Sequence, residues 1–379
     1  MDGEAKSAPS RLVIRAPNWL GDAIMALPAM AALRRAFPDA SLTIAAPPSV
    51  APLFHEQTSA GQDDILSLEG RDDARALAAG RFDAILLLPN SFRSAWLASR
   101  ARIPDRWGYG GGMRGWLLTR VVRRPRGRVH QAEYYMLLVA SVVSGSTVRL
   151  ANTAGTVRLE PATDRRVPSE VVTRTQSMPD ARITVRARTA ERAEALLARE
   201  GIAPGTPLIG FAPGAAYGHA KRWPPRRVAG VVARLSAEHG ATAVLVGAEG
   251  DRDAGREIES ALPPSSRIVN LIGRTDLRLL AGVLARCSAF VSNDSGAVHL
   301  AAAIGVPVAA IFGPTDERVT SPLGNADILV HHVFCRPCML RDCPIDHRCM
   351  KGISENAVFD VVSARLGASG SSPVAGDNP

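Results

Sequence analysis

Asp22 closes the run Asn18-Trp19-Leu20-Gly21-Asp22. A carboxylate in such a turn can take a proton from a hydroxyl that is about to attack. The same residue reads equally as an N-cap, because Asp is among the side chains preferred there. A second constellation is Asn293-Asp294-Ser295-Gly296-Ala297-Val298-His299, which follows an apolar run and precedes helical spacing. Ser295 and the amides of Gly296 and Ala297 would then point outward at the positive end of a helix dipole, a ready site for phosphate. His299, four residues beyond Ser295, shares its face; the alternative is a capped helix with its histidine in the core. Lys221 is one of three lysines, with Lys6 and Lys351, in a chain with 42 arginines. It is either a solvated surface lysine or a compact cation kept for a phosphate. Glu249 can accept from ribose hydroxyls, as acids do in dinucleotide folds, or be merely exposed.

Cys335, Cys338, Cys343 and Cys349 are spaced C-x2-C-x4-C-x5-C, with His331, His332 and His347 alongside. Four thiols so close in a chain expected in a reducing compartment read better as a structural zinc site than as disulfides. Free thiols, a redox-labile pair and iron–sulfur are the alternatives, and Cys287 reads as core. Two literal motif matches are set aside. Gly110-Gly111-Gly112-Met113-Arg114-Gly115 fits GxGxxG, but Asp105-Arg106-Trp107-Gly108 before it does not read as a strand. Asp251-Arg252-Asp253 spells a DxD tripeptide in an exposed charged run, and no Walker A loop is present.

Charge singles out one surface. Residues 91–130 carry ten arginines, among them Arg93, Arg114, Arg120, Arg123 and Arg124, against the single acid Asp105. That segment accounts for the whole net charge of +9, so it faces something anionic or is a solvated basic face. Trp107, Tyr109 and Trp116 accompany it.

The elements that must position these residues are βα units. Short apolar runs ending in Gly, Pro, Asn or Asp recur, each followed by helical spacing. Strands are expected at Leu12–Arg15, Leu42–Ala46, Ile65–Leu68 and Ala84–Leu88, with helices near 22–36 and 73–79. Further strands are expected at Leu208–Ala212, Ala243–Val246, Ile268–Leu271, Phe290–Ser292 and Val308–Phe312. The fold class is therefore α/β, two Rossmann-like, doubly wound parallel sheets in series. Ligands bind such sheets beyond the carboxyl ends of the strands, which is where the candidate residues fall. With 379 residues, 46% hydrophobic and 21% charged, two domains are expected. The limits are residues 11–185, a connection over 186–205, and residues 206–366, with disordered tails at 1–10 and 367–379. Residues 146–184 show no sustained period. No apolar run is long enough to span a bilayer, and the opening MDGEAKSAPS lacks a signal-peptide core, so the chain is expected in the cytoplasm.

Over about residues 11–365 the chain resembles glycosyltransferase family 9, the lipopolysaccharide heptosyltransferases. LVIRAPNWLGDAIMALPAM is similar to the family's first strand and Gly-Asp turn, and SNDSGAVHLAAAIGVPVAAIFGPT to its donor-phosphate segment. AKRWP and LIGRTDLRLLAGVLARC lie between them. The opening APNWLGD and the cysteines bring it nearer the heptosyltransferase II branch than I. The resemblance implies a GT-B fold, two Rossmann-like domains facing a central cleft. It also implies ADP-L-glycero-β-D-manno-heptose as donor to the second domain and a lipid A–Kdo inner-core acceptor for the first. Asp22 would be the base of an inverting transfer. Lys221, Ser295, Gly296 and His299 would stabilise the departing ADP, Asp294 would hold their loop, and Glu249 would match the ribose contact. No cofactor would be needed for catalysis beyond the structural zinc. Asn18, Arg93, Arg114, Arg120, Arg123 and Arg124 would meet the acceptor or the anionic leaflet of the inner membrane, with peripheral association. Competing readings are a GT-B enzyme with another sugar nucleotide and a nucleic-acid-binding protein built on the arginines. The second is disfavoured by the few aromatics, so no nucleic acid is expected as a partner. An NAD-dependent dehydrogenase lacks its glycine fingerprint.

Overall fold

A computed structural model describes residues 8–144, 159–160, 171–175 and 181–369. It divides into two compact units, Met1–Val157 with Met178–Thr184, and Arg158–Ser177 with Val185–Pro379.

The first unit contains β1 (Arg11–Arg15), β2 (Ser41–Ala46), β3 (Gln57–Thr58), β4 (Asp64–Ser67), β5 (Ala84–Leu87), β6 (Asp105–Tyr109) and β7 (Arg120–Val122). Its helices are α1 (Leu20–Met25), α2 (Leu27–Ala36), α3 (Asp73–Ala79), α4 (Phe92–Arg100) and α5 (Gln131–Ser144). Six strands pair in parallel in the order β4-β2-β1-β5-β6-β7. That is the 3-2-1-4-5-6 order of dinucleotide-binding folds, and it puts the strand-order reversal between β1 and β5. Val13, Ala45, Ile85 and Leu87 point into one layer of core with Leu97, Ala98 and Leu117. The helix expected over 22–36 is two helices. Pro28, near the start of α2, has no N–H to continue the α1 ladder, so the axis breaks at Ala26.

The strand β6 overturns one expectation. Asp105–Tyr109 is a strand parallel to β5, so the glycines at 110–115 do follow a strand. They lead into a short 3-10 turn, Gly115–Leu117, and β7. With no helix N-terminus to receive a pyrophosphate, the dinucleotide fingerprint still fails.

Asp83, just ahead of β5, accepts from the backbone N–H groups of Ser10 and Arg11 and from the Ser10 hydroxyl at 2.7–2.9 Å. These bonds tie the start of β1 to the sheet and hold the Asp83 carboxyl below its usual pKa, the Ser10 hydroxyl contributing most. Asp83→Ala is expected to cost on the order of 1 kcal/mol in urea unfolding at pH 7. Because the folded-state pKa is depressed, that difference is present above the ordinary carboxylate range and fades as the pH falls through the folded value.

The second unit adds β8 (Leu159–Glu160), β9 (Val171–Thr175), β11 (Leu208–Ala212), β12 (Thr242–Leu245), β13 (Ile268–Asn270), β14 (Ala289–Asn293), β15 (Val308–Phe312) and β16 (Ala326–Val330). β10 (Ile183–Thr184) pairs antiparallel with β3 in the first unit. The sheet order is β13-β12-β11-β14-β15-β16-β9-β8. The first six strands are parallel and repeat the 3-2-1-4-5-6 order, while β9 joins β16 antiparallel. The central strands are buried along their whole length, which is why they read as continuous apolar runs rather than alternating ones. Around them lie α6 (Ala187–Arg199), α7 (Pro225–His239), α8 (Arg252–Ala261), α9 (Leu277–Ala285), α10 (Gly296–Ile304), α11 (Glu317–Thr320), α12 (Arg348–Lys351) and α13 (Glu355–Ser369). α10 ends on Gly305 at φ +102°, a left-handed cap that suits glycine.

Residues 186–205, expected as a connection, are mostly α6, whose Thr189, Ala193 and Leu197 are buried. That helix belongs to the second unit. Of the expected tails, residues 1–7 and 370–379 lie outside the described residues, whereas Ser10 is anchored at Asp83 and α13 runs to Ser369.

Candidate active site

In each unit the chemistry gathers on the loops that flank the strand-order reversal, where two neighbouring loops diverge to opposite faces and leave a crevice. In the second unit these loops follow β11 and β14. Lys221, in the short turn His219–Lys221, points its Nζ at Asp294 Oδ2, 2.5 Å away, and lies 3.4 Å from the Asp294 carbonyl. The two side chains are 12% and 7% exposed. Asp294 Oδ2 also accepts from the Thr315 hydroxyl at 2.7 Å. Asp294 therefore joins the loops after β11, β14 and β15. An ammonium has three donors, so Asp294 fixes the direction of Lys221 and leaves a proton for another acceptor. The Tyr217 ring, 4.9 Å from Nζ, supports the cation from the side.

Ser295 is the N-cap position of α10 but makes no side-chain cap; its hydroxyl lies 3.1 Å from that of Ser292. Gly296 and Ala297 occupy the first turn, half-buried, and His299 is buried beneath them. The Lys221–Asp294 bond thus brings Lys221 to the residue that precedes Ser295 and Gly296, across 73 positions of sequence. Asn293, which the sequence reading passed over, accepts from Trp223 N–H at 3.0 Å and donates to the carbonyls of Pro213 and Gly214. It fixes the Lys221 loop to the end of β14. A polar residue ending a wholly buried strand was the available signal.

Glu249 is not drawn into this cluster. It is exposed and pairs with Arg252 at 3.4 Å. Its neighbour Asp251 is the structural acid. It accepts from Ala248 N–H at 3.1 Å and from Arg222 at 3.3 Å, and a Cβ on Gly214 would meet its carboxylate at 2.1 Å. Only glycine at 214 lets these two loops touch. Asp253 pairs with Arg256 on the surface.

The cysteine segment braces the same loops. Ala220 N–H donates to the Arg341 carbonyl, the Tyr217 hydroxyl to the Met339 carbonyl, and Met339 N–H to the Pro314 carbonyl, at 2.8–2.9 Å. Arg336, buried with Glu317, donates to the carbonyls of Gly313 and Thr315. Cys349 is buried, while Cys335, Cys338 and Cys343 are half-buried. Burial first, then the charges of the other three, raise the Cys349 thiol above its usual pKa. Among the described residues no group of three or more His, Cys, Asp or Glu side chains is arranged to hold a metal ion.

In the first unit Asp22 lies inside the first turn of α1, not at its cap, which is Trp19. Its carboxylate is close enough to the buried Tyr135 of α5 to raise that phenol, although burial is the larger cause. Asn18, earlier in the same loop, accepts from Arg15 at 2.6 Å.

The arginines divide. Arg93 donates to the Gly70 carbonyl at 3.0 Å and lies 3.8 Å from Asp73. Arg120 ties β7 to the Val142 carbonyl and lies over the Trp107 ring. Arg123 and Arg124 are exposed, whereas Arg114 is buried. Trp107 and Tyr109, expected on the outer surface with them, are buried in the sheet. Large apolar side chains that are exposed instead are Trp19 (61%), Trp116 (73%) and Met113 (84%), with Phe92 and Trp96. Trp19, Phe92, Met113 and Trp116 follow the carboxyl ends of β1, β5 and β6, and Trp96 lies within α4. No helix among the described residues is long and apolar enough to cross a membrane.

Two Rossmann-like parallel-sheet units, the second with a cation and a helix N-terminus at its reversal point, define the GT-B class of glycosyltransferases. The chain belongs to glycosyltransferase family 9 (heptosyltransferase), whose profile matches residues 72–348. It is 30% identical over 326 residues to lipopolysaccharide heptosyltransferase 2 of Salmonella typhimurium, covering 83% of this chain and 86% of that protein. It is 28% identical over 331 residues to lipooligosaccharide heptosyltransferase 2 of Haemophilus influenzae, covering 84% and 88%. Among solved structures, Escherichia coli ADP-heptose lps heptosyltransferase II superposes with a TM-score of 0.74 at 26% identity, over 95% of this chain and all of that one.

Proposed function

We propose that this glycosyltransferase moves L-glycero-D-manno-heptose from ADP-heptose to the inner core of a lipopolysaccharide, as a heptosyltransferase II does, with inversion at the anomeric carbon. The single observation that supports it most is the Lys221–Asp294–Thr315 network beside the N-terminus of α10, in a chain of this family. Asp22 takes the proton of the acceptor hydroxyl. The oxygen forms its bond to the anomeric carbon from the face opposite the diphosphate. The bond from that carbon to the diphosphate oxygen breaks, and ADP leaves with the electron pair. Charge grows on the departing oxygen, and Lys221, Ser295, Gly296 and His299 stabilise it. Asp294 orients Lys221 and holds the loop, and Glu249 takes the ribose. The acceptor, a lipid A–Kdo inner core, meets Asn18 and the arginines 93, 114, 120, 123 and 124.

Peripheral association with the cytoplasmic face of the inner membrane is supported by exposed Trp19, Trp96 and Trp116 beside the arginines. Indole rings sit well at a headgroup boundary and guanidinium groups pair with anionic lipids. The transfer step draws on side chains and amides alone. Zinc on Cys335, Cys338, Cys343 and Cys349 is read from their spacing and would be structural. Protein purified under reducing conditions is expected to contain about one zinc per chain; four titratable thiols without metal would remove the idea.

Calorimetric titration with ADP, UDP and NAD tests the donor class, followed by transfer from ADP-heptose to a heptose-deficient core. ADP is expected to bind in preference to UDP. Preference for UDP would move the protein to another sugar nucleotide, and binding of none would return attention to the arginines.

A further inference from the structure

Arg114 follows β6, in the loop before β7 on the carboxyl edge of the first sheet. It is completely buried. Nη1 donates to the Pro89 carbonyl at 2.6 Å, while Nε and Nη2 meet no acceptor. A guanidinium offers five N–H donors and keeps its charge at neutral pH, and a buried charge without a counter-ion is costly. The charged groups that act on it are Arg124, which opposes its charge, and the Tyr134 phenol; no carboxylate is among them. Burial foremost, then Arg124, pushes the Arg114 pKa down to about 10.

The surroundings are built of donors. Arg124 lies against Gly111, where a Cβ would stand 3.3 Å from its Cζ, and a Cβ on Gly108 would come within 3.0 Å of Arg114 Nη2. Tyr134 accepts from Asn90 Nδ2 at 2.9 Å, which leaves its own proton to donate. Two cations, one of them buried, and a phenol with no acid between them match an oxyanion. Carboxylate and phosphate both pair with guanidinium groups through two parallel hydrogen bonds.

We propose that Arg114, Arg124 and Tyr134 form a binding site for one oxyanion, a carboxylate or a phosphate monoester, carried by the acceptor sugar. The assignment to the acceptor rests on the heptosyl-transfer reading. The site belongs to the first unit, on the same sheet edge as the Asp22 loop, whereas the loops suited to the donor's phosphates are in the second. It is a distinct demand on the acceptor: the anion fixes the sugar, and Asp22 acts on the hydroxyl.

The test uses the full chain with three acceptors: a deacylated inner-core oligosaccharide, the same with its carboxylates reduced to alcohols, and the same with its phosphates removed. Arg124→Gln changes an exposed side chain and should leave folding intact. It is expected to raise the acceptor KM about tenfold, the worth of a charge-assisted hydrogen bond, with the ADP-heptose KM unchanged. Wild type should lose a similar factor on one altered acceptor only, and on that acceptor Arg124→Gln should add nothing; which acceptor it is identifies the anion. Tyr134→Phe should show the same pattern more weakly. Equal effects on all three acceptors, or none, would overturn the site. Calorimetric binding of the intact oligosaccharide separates the two failures. Binding that depends on Arg124 without any transfer would keep the site and remove the heptosyl-transfer reading; transfer without that dependence would do the reverse.

Discussion

Asp22→Ala is expected to lower turnover by roughly 10²–10⁴, the usual worth of a positioned base, while ADP affinity and the unfolding midpoint stay near wild type. The second half of that expectation comes from where the residue sits. Asp22 is inside the first turn of α1, and the cap position is Trp19. Losing the carboxylate takes from the helix its interaction with the dipole, about 0.3–1 kcal/mol, and no capping bond. Asp22→Asn keeps the shape and much of the hydrogen bonding but cannot accept the proton, so its turnover should fall as far as that of the alanine variant. The acidic limb of the kcat/KM profile, which reports a base that must be ionised, should vanish in both variants. Turnover within threefold of wild type would make Asp22 a helix residue and nothing more.

Lys221→Gln should weaken ADP binding and lower kcat by about 10²–10³, the range seen when a charge-stabilising donor is removed from a transition state. Glutamine is the informative change. Alanine would leave the buried Asp294 carboxylate with the Thr315 hydroxyl but no cation, and breaking a buried pair from one side costs about 3–5 kcal/mol. A fall in activity could then be a fall in folded protein. Glutamine still donates to Asp294 and lacks only the charge. Stopped turnover with a melting temperature near wild type assigns the cation to the departing diphosphate. Loss of stability with ADP affinity unchanged would make the pair a structural clamp on the three loops.

Much of this was readable from the chain. The strands β1, β2, β5, β11, β12, β14 and β15 announce themselves because a strand covered on both faces reads as a largely apolar run. β6 and β7 escaped because Asp105, Arg106 and Arg120 lie at exposed or half-exposed ends of the first sheet's outer strands. β9 escaped for a different reason: its place beside β16 is fixed by pairing across more than 150 residues, which no local pattern carries. Lys221 and Ser295 could each be suspected from strand-end position. Glu249 could be suspected on the same ground; it is exposed and pairs with Arg252, while Asp251 occupies the space beside Gly214.

By itself the sequence determined the βα alternation, the two sheets and the loops that carry polar residues, since periodicity and turn chemistry act over a few residues. Only the tertiary structure decided that Asp294 joins Lys221 to Thr315, that Trp107 and Tyr109 are core while Trp116 is not, and that Arg114 is buried with donors unmet. Those outcomes depend on which distant segments the strand order makes neighbours, and burial and the fields of surrounding charges exist only once that order is set.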